Sequence, residues 1–257
     1  MNKARIAILS SVKPRCFANI NFDKWFNQNE KTSALKNEVD VWKDALSLDY
    51  LRENTSFEVI NVLNWVPKRG DYDWYILGWS PSMVTEKLPW MIDLQKFIYD
   101  EINSWKTTLW VCFWHQILAS SFWGKIEYAK KRNLWAWKVF LNANWMWDEI
   151  FWQMHSHFDA IWSHKQYVSH TWEGKNLWDN NHTPNQIIRY WDNAWGVQFH
   201  PEFSKEFASF LVKLMSSDLK TESIDAEKTL KKLNKMMWNE SSKVITLFLQ
   251  RIIEGQK

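Results

Sequence analysis

Short apolar runs alternate with longer amphipathic stretches along most of this chain. The runs at residues 5–10, 57–62, 74–77, 108–111, 125–128, 187–190 and 194–199 predict β-strands, being too short for helices and bounded by polar or turn-forming residues. Helical periodicity predicts helices at 41–52, 90–102, from just after Cys112 to about 122, and 201–215. This alternation implies an α/β fold in three layers, a mostly parallel twisted sheet flanked by helices on both faces. Residues 12–40 are polar and weakly periodic, and read as a long loop or a short helix pair. Beyond residue 215 the pattern changes. A linker-like run, Ser216-Ser-Asp-Leu-Lys-Thr-Glu-Ser223, precedes two further helices at 224–237 and 243–253. The chain therefore divides into an α/β domain, residues 1–215, and a C-terminal helical extension, residues 216–257, too small to fold alone and expected to pack on the core.

Composition narrows the function classes. Lys and Arg number 32 against 29 Asp and Glu, a formal charge of +3. The basic residues are scattered rather than striped, which argues against a nucleic-acid partner. No apolar stretch approaches a membrane span, so no membrane association is expected. Ile6-Ala-Ile-Leu9 mimics a signal peptide only until Lys13, Pro14 and Arg15 cut the run short, and a first strand is the better reading. Cys16 and Cys112 offer no disulfide framework and fit a reducing, cytoplasmic setting. His155-Ser-His157, with His164 and His170 nearby, is a weak metal pair that no cysteine or carboxylate completes at ligand spacing. Neither a metal nor an organic cofactor is expected.

Two segments carry chemistry. Leu109-Trp-Val-Cys112-Phe-Trp-His-Gln116 places a lone cysteine where a predicted strand turns into a predicted helix, the position of an exposed nucleophile. Gly196-Val-Gln-Phe-His200-Pro-Glu202 sets a histidine two residues before a glutamate, so both side chains share a face if the backbone is extended. A thiol, an imidazole and an orienting carboxylate are the parts of a cysteine acyl-transfer site. Each also has a plainer reading: a lone cysteine is commonly a small buried hydrophobe, and Glu202 suits a helix start.

On these two segments the chain resembles the class I glutamine amidotransferases, whose signatures are Gly-x-Cys-x-Gly-x-Gln and a later Gln-x-His-Pro-Glu. The resemblance spans roughly residues 55–215 and implies that family's flavodoxin-like three-layer fold. It implies Cys112 as nucleophile, His200 as general base and acid, and Glu202 as the partner that fixes the imidazole tautomer. It also implies an oxyanion hole from the backbone N–H groups at Phe113 and Trp79, and a glutamine contact from Gln116. Ser163-His164-Lys165 matches a family segment on the cleft wall, with a structural or substrate-side role for His164.

The match departs from the family in one respect. Both signature glycines are tryptophan here, Trp110 and Trp114, and the exchange recurs at Trp65, Trp74, Trp79, Trp123, Trp135, Trp137 and Trp191. The chain holds 21 Trp and 6 Gly, where ordinary usage of about 7% gives roughly 18 Gly. These tryptophans read as glycines, as when a genetic code that assigns UGA to glycine is translated with a table that assigns it to tryptophan. Trp90 and Trp195 read as genuine. Glycine serves where φ is positive or two backbones meet closely. Indoles on either side of the nucleophile are expected to disrupt the turn or block the pocket.

The implied activity is hydrolysis of the glutamine side-chain amide through a cysteine thioester, giving glutamate and ammonia. The likeness is greatest to stand-alone relatives of the GMP synthase amidotransferase domain, which often carry a helical tail. A separate synthase subunit is then the expected ammonia acceptor and partner. Two alternatives stay open: a γ-glutamyl peptide hydrolase of the same fold, and an inactive binding module should Trp110 and Trp114 be genuine.

Overall fold

The computed structural model describes residues 3–11, 41, 53–63, 67–68, 70–78, 80, 82–178, 183–236 and 239–254. The polar stretch 12–40 with Cys16, the predicted helix 41–52 apart from Val41, and Trp65 and Trp79 lie outside the described residues.

The strands are β1 (Ala4–Ser10), β2 (Thr55–Asn61), β3 (Trp74–Leu77), β4 (Thr108–Val111), β5 (Lys125–Phe140), β6 (His157–His170), β7 (Lys175–Trp178), β8 (Ile187–Tyr190) and β9 (Ala194–Val197). Seven of them form one sheet in the order β2-β1-β3-β4-β9-β8-β7. Its first five strands are parallel, and β8 and β7 add on antiparallel. Strands covered on both faces read as continuous apolar runs, which is why β1, β3, β4 and β9 are nearly all buried.

The period of two sorts β1 between two cores. Ala7 and Leu9 join Met91, Leu94, Ile98 and Ile102 of α1 (Pro89–Asn103) and the apolar residues of α2 (Phe113–Ser121). Ile6 and Ile8 face the other way, toward Val244, Ile245, Phe248 and Ile252 of α6 (Lys243–Glu254). The third layer of the fold is therefore supplied in part by the C-terminal extension. A further cluster joins α3 (Lys205–Leu214), α4 (Ser216–Thr221) and α5 (Ala226–Lys235) to Leu134 and Ile161.

Several elements differ from expectation. β5 continues past Tyr128 to Phe140 and pairs antiparallel with β6 as a separate ribbon. The sequence hid β6 because its inward set alternates Phe158, Ala160 and Trp162 with the polar His164 and Gln166. The run read as a linker after residue 215 is the helix α4. Helix α3 begins at Lys205 rather than at Pro201, because Ser204 Oγ accepts from the Phe207 N–H at 3.1 Å and caps it there. The residues before that cap form a turn that carries His200 and Glu202.

Candidate active site

Cys112 stands between β4 and α2 with φ 54° and ψ −104°. A left-handed backbone costs a residue with a Cβ of order 1–3 kcal/mol, so neighbouring structure must hold it. Here both sides of the junction do. The Cys112 N–H donates to Val197 O at 2.8 Å, prolonging the β4–β9 ladder, while its carbonyl accepts from the Gln116 N–H at 3.3 Å and opens the helix. The result is a strand-to-helix elbow with the sulfur at its apex. Phe113 follows as the first helical residue, where the helix itself offers an N–H no acceptor.

His200 meets the sulfur from the loop after β9. Its ring borders the same cavity as Cys112 and feels its charge, and its Nδ1 lies 2.9 Å from Glu202 Oε1. The ring stacks on Phe203 at 4.1 Å with planes 2° apart. Its backbone is fixed as well: the His200 N–H donates to Ile161 O at 2.8 Å. Asn239 Nδ2, from the extension, donates to the carbonyls of His200 at 2.8 Å and Phe203 at 3.1 Å. Burial by itself lowers an imidazole pKa, but the negative charges of Cys112 and Glu202 and their hydrogen bonds outweigh it and raise His200 to about 10. The raised pKa favours an imidazolium at His200, a proton held beside the Cys112 sulfur.

A chain of amides lies beneath the thiol. Gln198 Nε2 donates to Cys112 Sγ at 3.6 Å, and Gln198 Oε1 accepts from Gln116 Nε2 at 3.0 Å. Gln116 Nε2 also donates to Gln166 O at 2.7 Å. The amide hydrogens of Gln116 are therefore committed to protein acceptors although the residue borders the cavity. Both ring nitrogens of His164 are likewise occupied, Nδ1 by Gln166 O at 2.9 Å and Nε2 by Asn133 Nδ2 at 3.3 Å. Burial, chiefly, lowers His164 to about 3, so it is neutral. Of the substrate-side candidates, Phe113, Gln116 and His164 line the cavity, and Trp79 is outside the described residues.

The cavity itself measures about 230 Å³, with Cys112 and His200 in its wall. Arg132 and Lys165 are its cations besides His200, and among the described residues no acidic side chain lines it. Trp110 and Trp114 do not. Both are fully buried in the core under α1, whereas Cys112 belongs to the cluster on the opposite face of the sheet. The expectation that these indoles disrupt the turn or fill the pocket is therefore corrected: they point away from it. Among the described residues no group of three or more His, Cys, Asp or Glu is placed to hold a metal, and His155 and His157 are exposed. No described helix is long and apolar enough to cross a membrane.

The sequence reading overlooked Gln198, although it sits inside the Gln-x-His-Pro-Glu signature. It also overlooked Arg132, Glu222 and Asn239, for which no local pattern gave a signal.

A three-layer α/β fold here places a strained cysteine in one cavity wall with a histidine–glutamate couple, the groups that cysteine acyl transfer uses. The family model described as Glutamine amidotransferase class-I matches residues 49–210, more than half of the chain, and the protein belongs to that family. Its fold is shared with a glutamine amidotransferase from Thermotoga maritima, at TM-score 0.69 and 15% identity over 99% of this chain and 100% of that one. It is shared also with a glutamine amidotransferase from Methylobacillus flagellatus, at TM-score 0.64 and 15% identity over 96% and 94%. A protein described as a GMP synthase subunit, from Thermoplasma acidophilum, aligns at TM-score 0.63 and 11% identity over 100% and 96%. No curated protein sequence matches the chain.

Proposed function

We propose that this protein hydrolyses the side-chain amide of glutamine and passes the ammonia to a separate synthase subunit. The observation that carries this reading is Cys112 at a left-handed elbow, lining one cavity with His200, which Glu202 holds through Nδ1. The thiolate attacks the γ-carbonyl carbon, and the carbonyl oxygen takes the negative charge against the N–H groups expected at Phe113 and Trp79. The carbon–nitrogen bond then breaks as His200 gives its proton to the leaving nitrogen, releasing ammonia and leaving a γ-glutamyl thioester. Water, deprotonated by His200, attacks the thioester and frees glutamate and the sulfur. The likeness to a protein described as a GMP synthase subunit supports the subunit role.

Ammonia release from glutamine that disappears in Cys112→Ala is the expected result. A steady preference for γ-glutamyl peptides over glutamine would replace this reading with the peptide hydrolase, and stimulation by an added synthase supports the subunit role. Silence toward both substrates, in a chain with glycines at the suspect positions, leaves the binding module.

The same proposal includes glycine at most of the suspect tryptophans in the native protein, and three features support it. Trp123 and Trp191 from that set, together with Trp105, which the sequence had not singled out, adopt φ of 59°, 50° and 64°. All three are exposed, and only Trp191 has a ring contact, an edge on Phe122, so little packing holds an indole in the left-handed region that glycine occupies freely. Trp105 and Trp123 each follow the last turn of a helix, α1 and α2, where glycine is the usual terminator. Finally, the buried indole N–H groups of Trp74, Trp114 and Trp162 have no partner among the described residues, a loss of about 1–3 kcal/mol each. Trp195 contrasts on every count: its Nε1 donates to Asp148 at 2.9 Å, and Arg189 and Arg251 stack on its ring. The intact mass of the protein from its own host decides the matter; ordinary tryptophan masses at these positions would end the idea.

A further inference from the structure

The cavity carries a charge arrangement that the catalytic trio does not use. Arg132 and Lys165 come to it through one irregularity. Between the pairs Tyr128–Gln166 and Asn133–His164, residues 129–132 of β5 face only Lys165 of β6. Such a bulge re-aims side chains, and here it brings two cations together at the cavity wall. Glu222, just past α4 in the extension, bridges them. Its carboxylate lies 3.2 Å from Arg132 Nε and 3.2 Å from Nη2, and 2.5 Å from Lys165 Nζ. One carboxylate thus serves two cations and leaves a surplus positive charge. The remaining guanidinium nitrogen, Nη1, has the Met215 sulfur at 3.9 Å, a weak acceptor. With the Arg132 side chain only 14% exposed, its charge is poorly screened by water.

We propose that Arg132, aligned by Glu222 and assisted by Lys165, docks the α-carboxylate of the substrate, so that the site selects γ-amides of amino acids with a free α-carboxylate over simple amides. This deepens the glutaminase reading and rests on it. Glutamine presents three features: a γ-amide, an α-ammonium and an α-carboxylate. The amide belongs at Cys112. Of the other two, only the carboxylate finds a complement, because the lining offers cations and, among the described residues, no acid. A guanidinium binds a carboxylate with directional, charge-assisted hydrogen bonds, and that anchor fixes how far the amide carbon reaches toward the sulfur. Glu222 does not touch substrate; it is a positioning residue that keeps the guanidinium turned toward the cavity.

The test pairs substrate and protein changes in the full chain with glycines restored. Replacing glutamine by γ-aminobutyramide, which lacks the α-carboxylate, lowers kcat/KM of the parent site about ten- to hundredfold. Arg132→Ala erases most of that difference, and Arg132→Lys keeps part of it. Glu222→Gln raises KM for glutamine with kcat nearly unchanged. Equal losses on both substrates in Arg132→Ala would overturn the assignment, since a merely structural role slows both alike. A second readout needs no turnover: calorimetric binding of glutamine to Cys112→Ala protein, abolished when Arg132→Ala is added. Undiminished binding there would refute the inference even in an inactive enzyme. The glutaminase reading fails by a different sign, a parent chain that neither releases ammonia nor is alkylated at Cys112 by a diazo-ketone analogue of glutamine.

Discussion

Tryptophan at a left-handed position is the most economical experiment this molecule offers. Trp105→Gly, Trp123→Gly and Trp191→Gly each relieve a backbone penalty of about 1–3 kcal/mol, and the exposed indoles give up little packing beyond the Trp191 edge contact with Phe122. Each is expected to raise stability by about 1 kcal/mol, read as an upward shift of the thermal midpoint, whereas Trp195→Gly removes a packed and hydrogen-bonded ring and is expected to lower it by about 3–5 kcal/mol. A uniform fall across all four would contradict the argument. His200 gives a second residue-scale expectation. Its folded pKa is raised from 6.5 to about 10, so its partners stabilise the fold fully below about 6.5 and progressively less as pH climbs toward 10. Denaturant midpoints measured across that window should decline, and less so in Glu202→Gln. The grouping of Cys112 with His200 and Glu202 was legible in the sequence because the three residues fall into two short motifs. The amide of Gln198 was not, because a glutamine just past a strand end says nothing of which atom it faces.

Among the elements, those that carry the site differ in how openly the sequence declares them. β1, β3 and β4 announce themselves as apolar runs because both faces are covered. β6 does not, since the positions it turns inward include His164 and Gln166, polar residues whose side chains find partners largely on other elements. The same holds for the 129–132 bulge, where Lys130, Lys131 and Arg132 look like a solvated charge run until Glu222 is placed beside Arg132. Asn239 is the clearest case of a distant element acting on the site. Its side-chain amide ties the carbonyls of His200 and Phe203, and Ser241 Oγ in turn donates to its Oδ1 at 2.6 Å. Asn239→Ala leaves two buried carbonyls without that donor, a loss of about 1–3 kcal/mol. It should also lower kcat more than it raises KM, because it loosens the base rather than the substrate pocket. A variant with unchanged kcat would show that the His200 loop is held well enough by its Ile161 contact.

For the molecule as a whole, the question is how the buried histidines and the extension set its limits. His115 is fully buried, its Nε2 bonded to Asn185 O at 2.8 Å and its Nδ1 so close to Gly196 that an added Cβ there would meet it at 2.3 Å. Burial lowers its pKa to about 4, and that of His164 to about 3. The unfolded chain therefore binds these protons first, and stability is expected to fall as pH drops from about 6.5 toward 3, by linkage. Urea midpoints at neutral and acid pH measure this, and a slope that persists unchanged in His115→Gln would assign it to other groups. The extension sets the other limit. Its α6 covers one face of the sheet with Val244, Ile245, Phe248 and Ile252, its Asn239 holds the His200 loop, and its Glu222 aligns the cations at the cavity. A chain ending at residue 215 would uncover the Ile6 and Ile8 face of β1 along with its neighbours, an apolar loss on the order of several kcal/mol at about 25 cal/mol per Å². That is comparable to the whole stability of a typical domain, about 5–15 kcal/mol. Truncation should therefore give aggregated or unfolded protein, seen by circular dichroism and size-exclusion chromatography. A folded, active 1–215 fragment would mean that the sheet tolerates an open face and that the extension is an accessory after all.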